Sequence, residues 1–207
     1  MLTFAFWSQN DGMRVLFHRG DQNDGGYVVL VRREDGSAVR LPGYDDGSVV
    51  PHHLAHFVTE HEFRLTHGVF GCIAAGAMFA NMSLVGSRAR YDARVRSGAV
   101  LRAHAAELSL AESLSGVVHE ALEQHLELGT GYRRLREAWG ALRPGPCPYQ
   151  PGDLSRALNV LDLLGQRWQT LAPGGALALR WAVPAPGGRP RAGRSPGRPA
   201  SAVAPGR

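Results

Sequence analysis

Residues 176–183 read ALALRWAV, and this stretch decides the fold class that the chain predicts. Large apolar residues alternate there with small or charged ones, which is typical of a β-strand with one buried face. The apolar set comprises Leu177, Leu179, Trp181 and Val183. Because an isolated strand is not stable in water, we expect this one to join a sheet that is built elsewhere in the chain.

The partners for that strand lie in the first third of the sequence. The same alternation recurs in residues 2–7, 13–17, 27–31 and 39–41, and turn-forming stretches such as QNDG at 9–12 and DQNDGG at 21–26 separate these segments. The pattern predicts an antiparallel meander of three or four strands, to which residues 176–183 return.

The middle of the chain has a different period. From Pro51 onward the apolar residues repeat about every 3.6 positions, which predicts helices, and a proline suits the first turn of a helix. Apolar stripes predict four to five helices, at about residues 51–65, 69–82, 100–128, 132–142 and 153–171, with an Arg-rich connector at 88–96. We therefore predict one α+β domain over residues 1–183, in which an N-terminal antiparallel sheet, joined by the C-terminal strand, packs against these helices.

The charge of the chain is concentrated at its C-terminal end. All 23 basic residues are arginine, against 18 acidic residues, and the formal net charge is +5. Five arginines and no acid lie in residues 184–207, so the remainder of the chain is electrically balanced, which argues against a nucleic-acid-binding domain with a basic surface. The proline- and glycine-rich composition predicts a disordered tail. Any nucleic-acid association is expected only through this tail and to be non-specific, at Arg189, Arg191, Arg194 and Arg198.

The remaining composition predicts a cytoplasmic protein that does not enter the membrane. The two cysteines, Cys72 and Cys147, form no paired framework, and the first residues lack the pattern of a secretory signal. Residues 68–87 carry no charge, but four glycines interrupt them and their second half is polar. A buried core helix fits this stretch better than a membrane span does.

The densest group of chemically active residues is PHHLAHFVTEHEF at residues 51–63. His52 and His56 are four residues apart, a spacing at which two imidazoles on one helix face can share a metal ion. His53, His56 and Glu60 fall within a second narrow arc of the same helix. The candidate metal ligands are therefore His52, His53, His56 and Glu60, with zinc as the candidate ion.

Two features of this segment weigh against a metal site. It matches neither HExxH nor HxxEH, and His53 lies roughly 10 Å along the helix axis from Glu60. The alternative interpretation, which the sequence favours, is a polar helix face with one or two hydrogen-bonded histidines.

The sequence favours a non-catalytic cytoplasmic binding protein with a protein or small-molecule partner. No GxSxG nucleophile motif, phosphate-binding loop or dinucleotide fingerprint is present, so no cofactor is expected. Two alternatives stay open: a metal-dependent hydrolase centred on residues 51–63, and weak association with nucleic acid through the tail.

Overall fold

The computed structural model describes residues 12–20, 26–44, 47–86 and 91–182. Five strands form one sheet in the order β4-β3-β2-β1-β5, and every neighbouring pair is antiparallel. The strands are β1 (Met13–Arg19), β2 (Gly26–Arg32), β3 (Ala38–Tyr44), β4 (Ser83–Leu84) and β5 (Ala176–Trp181). The C-terminal strand pairs with β1, with Met13 opposite Trp181, so the predicted return to the N-terminal sheet is confirmed.

One face of this sheet forms half of the core. Along β1, β2 and β3 every second side chain is buried, as the alternation in the sequence predicts. Val15, Phe17, Val29 and Leu41 are each at most 2% exposed, and Trp181 of β5 closes the same layer. Because the side-chain period of a strand is two, a shift of one residue in register would turn all of these side chains to solvent.

In the described part of the chain the sheet packs with six helices, which confirms the α+β class. They are α1 (His52–Glu62), α2 (Val69–Ala74), α3 (Tyr91–Ala103), α4 (Ala105–Glu123), α5 (Leu128–Leu142) and α6 (Pro151–Gln169). The side chains of Leu54, Phe57 and Val58 on α1 are buried in the core, while α1 also packs against α4 and α6. Helix α1 therefore lies between the sheet and two other helices, which is the arrangement that buries part of its histidine-rich face.

The helix boundaries differ from the sequence pattern in three places. The helix expected at 69–82 ends at Ala74, and Gly76 adopts a left-handed φ of +99°. The helix expected at 100–128 is divided at His104, and the arginine-rich connector belongs partly to α3. The helix expected to begin at about residue 132 begins at Leu128 instead.

Two expectations fall on parts of the chain that the structure does not describe. The strand predicted at residues 2–7 and the tail at 184–207, with its candidate nucleic-acid contacts, lie outside the described residues. Among the residues that are described, no helix is both long enough and apolar enough to cross a membrane.

The start of α1 is positioned by α4. The Glu123 carboxylate accepts hydrogen bonds from the backbone N–H groups of Val49 and Val50, at 3.0 and 3.1 Å. The Nε2 atom of His119 lies 3.0 Å from the carbonyl oxygen of Val50. These contacts hold the last residues before Pro51 against α4, so the first turn of α1 faces the polar side of that helix.

Candidate metal site between α1 and α4

Three potential metal ligands meet where α1 packs on α4. His52 and His56 are one helical turn apart on α1, and Glu112 faces them from α4. The Nε2 atom of His56 lies 3.1 Å from Glu112 Oε2, and the Nε2 atom of His52 lies 3.4 Å from Glu112 Oε1. One ligand atom from each residue lies within 4.8 Å of the other two.

These distances fit the geometry of a zinc ion. Zinc bonds of about 2.0–2.2 Å at tetrahedral angles place neighbouring ligand atoms roughly 3.3–3.5 Å apart. The two histidine–carboxylate separations, 3.1 and 3.4 Å, are close to that spacing, but they involve different oxygen atoms of Glu112, and the three ligand atoms as a set lie within 4.8 Å of one another. Small rotations of the side chains of His52 and Glu112, which are 44% and 63% exposed, would bring all three atoms onto one ion.

A buried carboxylate orients His56 from the opposite side of its ring. His56 Nδ1 lies 3.3 Å from Oε1 of Glu60, and both side chains are at most 1% exposed. Glu60 also accepts hydrogen bonds from the backbone N–H groups of Val69 and Phe70 at the start of α2, at 2.7 and 3.0 Å. Gly68 is required beside it, because a Cβ atom there would overlap the Glu60 carboxylate. The ring of His56 is thus fixed with Nε2 directed at Glu112.

The two carboxylates determine the protonation of His56. Burial alone lowers the pKa of His56, but hydrogen bonds to Glu112 and Glu60 outweigh burial and raise it to about 9. Hydrogen bonds from His52 and His56 lower the pKa of Glu112, whereas burial raises the pKa of Glu60. Without a metal ion, the raised pKa of His56 favours its protonated form between the carboxyl groups of Glu60 and Glu112, and a metal ion bound at Nε2 would displace the proton there.

His53 points away from this group. Its Nδ1 atom lies 2.7 Å from the hydroxyl oxygen of Tyr27 on β2, and the same oxygen accepts a hydrogen bond from the His53 backbone N–H at 3.1 Å. Burial, together with the charges of His56 and His52, lowers the pKa of His53 to about 3. His53 is therefore a neutral histidine that ties α1 to the sheet.

The four residues that the sequence predicts as metal ligands therefore do not form one group in the structure. The structure brings His52 and His56 together, directs His53 to the sheet, and places Glu60 behind His56 as its hydrogen-bond partner. The residue that sequence reasoning did not include is Glu112. In the sequence it is one of several acids on the polar face of its helix, and only the packing of α4 on α1 distinguishes it from the others.

Comparison with known proteins identifies no relative of this chain. No protein-family model matches the chain, and no curated protein or solved structure matches it.

Proposed function

We propose that this chain is a non-catalytic binding protein for one divalent transition-metal ion, with zinc as the ion that fits best. The ligands are Nε2 of His52, Nε2 of His56 and a carboxylate oxygen of Glu112. The ion joins α1 to α4 and replaces the proton that otherwise bridges His56 and Glu112.

One observation carries this proposal: the ring nitrogen of His56 that does not face the proposed ion is hydrogen-bonded to a carboxylate, as is usual for metal-binding histidines. A histidine ligand commonly bonds its second ring nitrogen to a carboxylate, which fixes the ring and makes it a better donor. Glu60 occupies that position on His56, is fully buried, and is itself held by two backbone N–H groups.

The identity of the donors favours zinc among common divalent ions. Two imidazole nitrogens and one carboxylate oxygen suit zinc and its transition-metal neighbours, while Mg²⁺ and Ca²⁺ prefer sites made of oxygen ligands. The competing ions of the same class, such as Cu²⁺ and Ni²⁺, prefer tetragonal geometries.

The metal-dependent hydrolase is the second proposal, favoured by the open side of the site. Three protein ligands leave a fourth position for water, which is the composition of catalytic zinc centres. Catalysis also requires a concave pocket that holds the substrate and limits access of water. His52 and Glu112 are 44% and 63% exposed, and the large groove beside α1 is lined by other residues of that helix. This exposure supports binding of the ion without turnover.

The test is zinc binding to the full chain after chelator treatment, measured by competition with a chromophoric chelator. We expect one zinc ion per chain and no competition from excess Mg²⁺. His52→Gln, His56→Gln and Glu112→Gln should each weaken binding by more than about 100-fold, and Glu60→Gln by about 10–100-fold as an outer-shell change. The matched control is His18→Gln on the sheet, which should bind zinc like the parent chain.

The outcomes separate the interpretations. Less than one ion per chain, or equal binding by the parent and all three ligand variants, would overturn the metal proposal and leave His56 as an ion-paired histidine. If the zinc-loaded chain hydrolyses p-nitrophenyl acetate or p-nitrophenyl phosphate, and Glu112→Gln abolishes that activity, the hydrolase replaces the non-catalytic proposal. We expect no turnover above that of free zinc.

A further inference from the structure

The outer edge of β5 has no partner strand in the part of the chain that the structure describes. β5 ends the strand order β4-β3-β2-β1-β5. The backbone N–H of Arg19 donates to the carbonyl oxygen of Gly175, so the odd-numbered positions of β5 bond to β1. The N–H and C=O groups of Ala176, Ala178 and Arg180 therefore point away from β1, and this edge can pair with a further strand.

An apolar groove lies beside this edge, on the side of the sheet that the helices occupy. It has a volume of about 700 Å³ and opens between β5, α1 and α6. Val160 and Leu163 of α6 remain 36% and 37% exposed, although both line this concave surface. The full set of apolar wall residues is Phe57, Val58, Val160, Leu163, Leu164 and Leu179. Exposed apolar side chains that share one surface indicate an interaction site more strongly than the same residues scattered singly.

An extended segment with an apolar residue at every second position suits both features. Its backbone pairs with the free edge of the sheet, as in strand addition, and its alternate side chains enter the groove. Residues 2–7, LTFAFW, have this pattern and carry no charge, with Leu2, Phe4 and Phe6 on one face. This segment of the same chain precedes the described residues and is therefore always present at high local concentration.

The connection to β1 determines which edge the segment reaches. Both edges of β1 are already occupied, by β2 and β5, so residues 2–7 cannot pair with β1 itself. The chain from residue 7 to Met13 spans at most about 21 Å. A strand beyond β5 lies two strand spacings from β1, about 10 Å, whereas a strand beyond β4 lies four spacings away, about 19 Å. The longer path leaves almost no slack, and β4 is two residues long, so β5 is the edge within reach.

We propose that residues 2–7 add a strand to the outer edge of β5, with Leu2, Phe4 and Phe6 in the groove. Because Met13 lies opposite Trp181, the segment arrives at the Trp181 end of β5 and runs parallel to it. Its backbone bonds to the outward groups of β5, and its apolar side chains cover the exposed residues of α6. This surface is separate from the metal ligands and does not depend on metal binding.

Oxidative cross-linking of the full chain measures the position of the segment directly. Ala178→Cys is combined with Thr3→Cys in one chain and with Ala5→Cys in another. These positions share the outer face of the sheet, and the two registers that keep Phe4 in the groove place one or the other cysteine beside residue 178. We expect diamide to close an intrachain disulfide in one of the two chains.

The cross-linking needs a background and a matched control. Cys147→Ser removes the partly exposed native thiol, while Cys72 is buried. In the control, Ser83→Cys on β4 replaces the cysteine at residue 178, so that the same N-terminal cysteines are offered the opposite edge of the sheet. These control chains should stay reduced.

Leu163→Glu and Asn159→Glu test the groove in the same assay. Leu163→Glu places a carboxylate among the apolar walls and should prevent the disulfide. Asn159→Glu adds the same charge at an exposed position of α6 outside the groove lining and should leave the disulfide unchanged. Circular dichroism verifies that both variants are folded.

Substitutions within the segment test which face is buried. Phe4→Ser should lower the melting temperature of the full chain by at least about 5 °C, because it removes a large side chain from the groove. Amide exchange at Ala178 and Arg180 should also become at least about tenfold faster. Ala5→Ser, on the opposite face of the same strand, should change the melting temperature by less than about 1 °C.

Three results would overturn the proposal. The first is the absence of a disulfide in both chains that carry Ala178→Cys, or an equal yield with Ser83→Cys. The second is the same melting temperature and the same amide exchange in Phe4→Ser as in the parent chain. The third is a disulfide that joins two chains, together with a dimer in sedimentation, which would make this edge the contact with a second copy of the chain.

Discussion

Replacing Glu60 should destabilise the fold more than replacing any other acid on α1. Its carboxylate accepts hydrogen bonds from Val69 and Phe70 and pairs with His56, all without access to water. Glu60→Ala leaves these two backbone donors and Nδ1 of His56 without a partner, which costs about 3–5 kcal/mol in unfolding free energy for a broken buried pair. Glu60→Gln keeps the shape but turns one amide N–H toward the backbone donors, so we expect a loss of about 1–3 kcal/mol.

Urea denaturation in the presence of a chelator measures this effect without any contribution from metal. The matched control is Glu62→Ala, two residues further along α1, where the carboxylate is 18% exposed and its arginine partner lies 3.8 Å away. We expect this control to lose less than about 1 kcal/mol, as exposed ion pairs usually do. If Glu60→Ala loses less than about 1 kcal/mol, or no more than Glu62→Ala, the assignment of Glu60 as a structural buried carboxylate is wrong.

The protonation of His56, the packing at Gly68 and the hydroxyl of Tyr27 each affect stability in a measurable way. In chelator, the unfolding free energy should fall by up to about 3 kcal/mol as pH rises from about 6.5 to 9, because the raised pKa of His56 stabilises the fold only while the imidazole is protonated. His56→Gln should flatten this pH dependence, and an unchanged slope would contradict it. Gly68→Ala should cost about 1–3 kcal/mol because its Cβ overlaps the Glu60 carboxylate, whereas Gly116→Ala, with open space in α4, should gain about 0.5–1 kcal/mol in the same urea assay. Tyr27→Phe should lower the melting temperature, since His53 loses its hydroxyl partner at a cost of about 1–3 kcal/mol; an unchanged melt would refute that contact.

Strands β1, β2, β3 and β5 and the core face of the sheet were predictable because alternating hydrophobicity shows which side of a strand is buried, whereas the two-residue strand β4 was not predicted. Residues 176–183 and 13–17 carry the same pattern, and their pairing follows from the need to bury both. The divided helix at His104 was not predictable, since no glycine or proline stands at the break. The ring of His104 stacks on His67 with centroids 3.8 Å apart, so a tertiary contact coincides with the change in helix path.

A second deviation has a similar origin. The pattern at residues 69–82 continues past Ala74, but the guanidinium of Arg33 donates hydrogen bonds to the carbonyl oxygens of Ile73 and Ala77. This buried arginine supplies the partners that a longer helix would have provided internally, so the chain turns at Gly76 instead. The hydrophobic period of the sequence reveals neither hydrogen bond of Arg33, because Arg33 lies at least 40 positions from both Ile73 and Ala77.

The candidate metal site was predictable only in part, for the same reason. The spacing of His52 and His56 is a local property of one helix, and the sequence reveals it. The contribution of Glu112 depends on how α4 docks, and the turn of His53 toward Tyr27 depends on how α1 sits on the sheet. Each of these is a long-range contact that local spacing does not encode.

The pairing of β1 with β5 has a consequence for how this chain reaches its native state during synthesis. Met13–Arg19 is among the first strands made, yet one of its two edges has no partner until Ala176–Trp181 has left the ribosome. Such distant pairing slows folding, and an unpaired strand edge is a site for pairing with other chains. The nascent chain therefore carries an open β-edge until β5, the last of the described elements in chain order, has emerged.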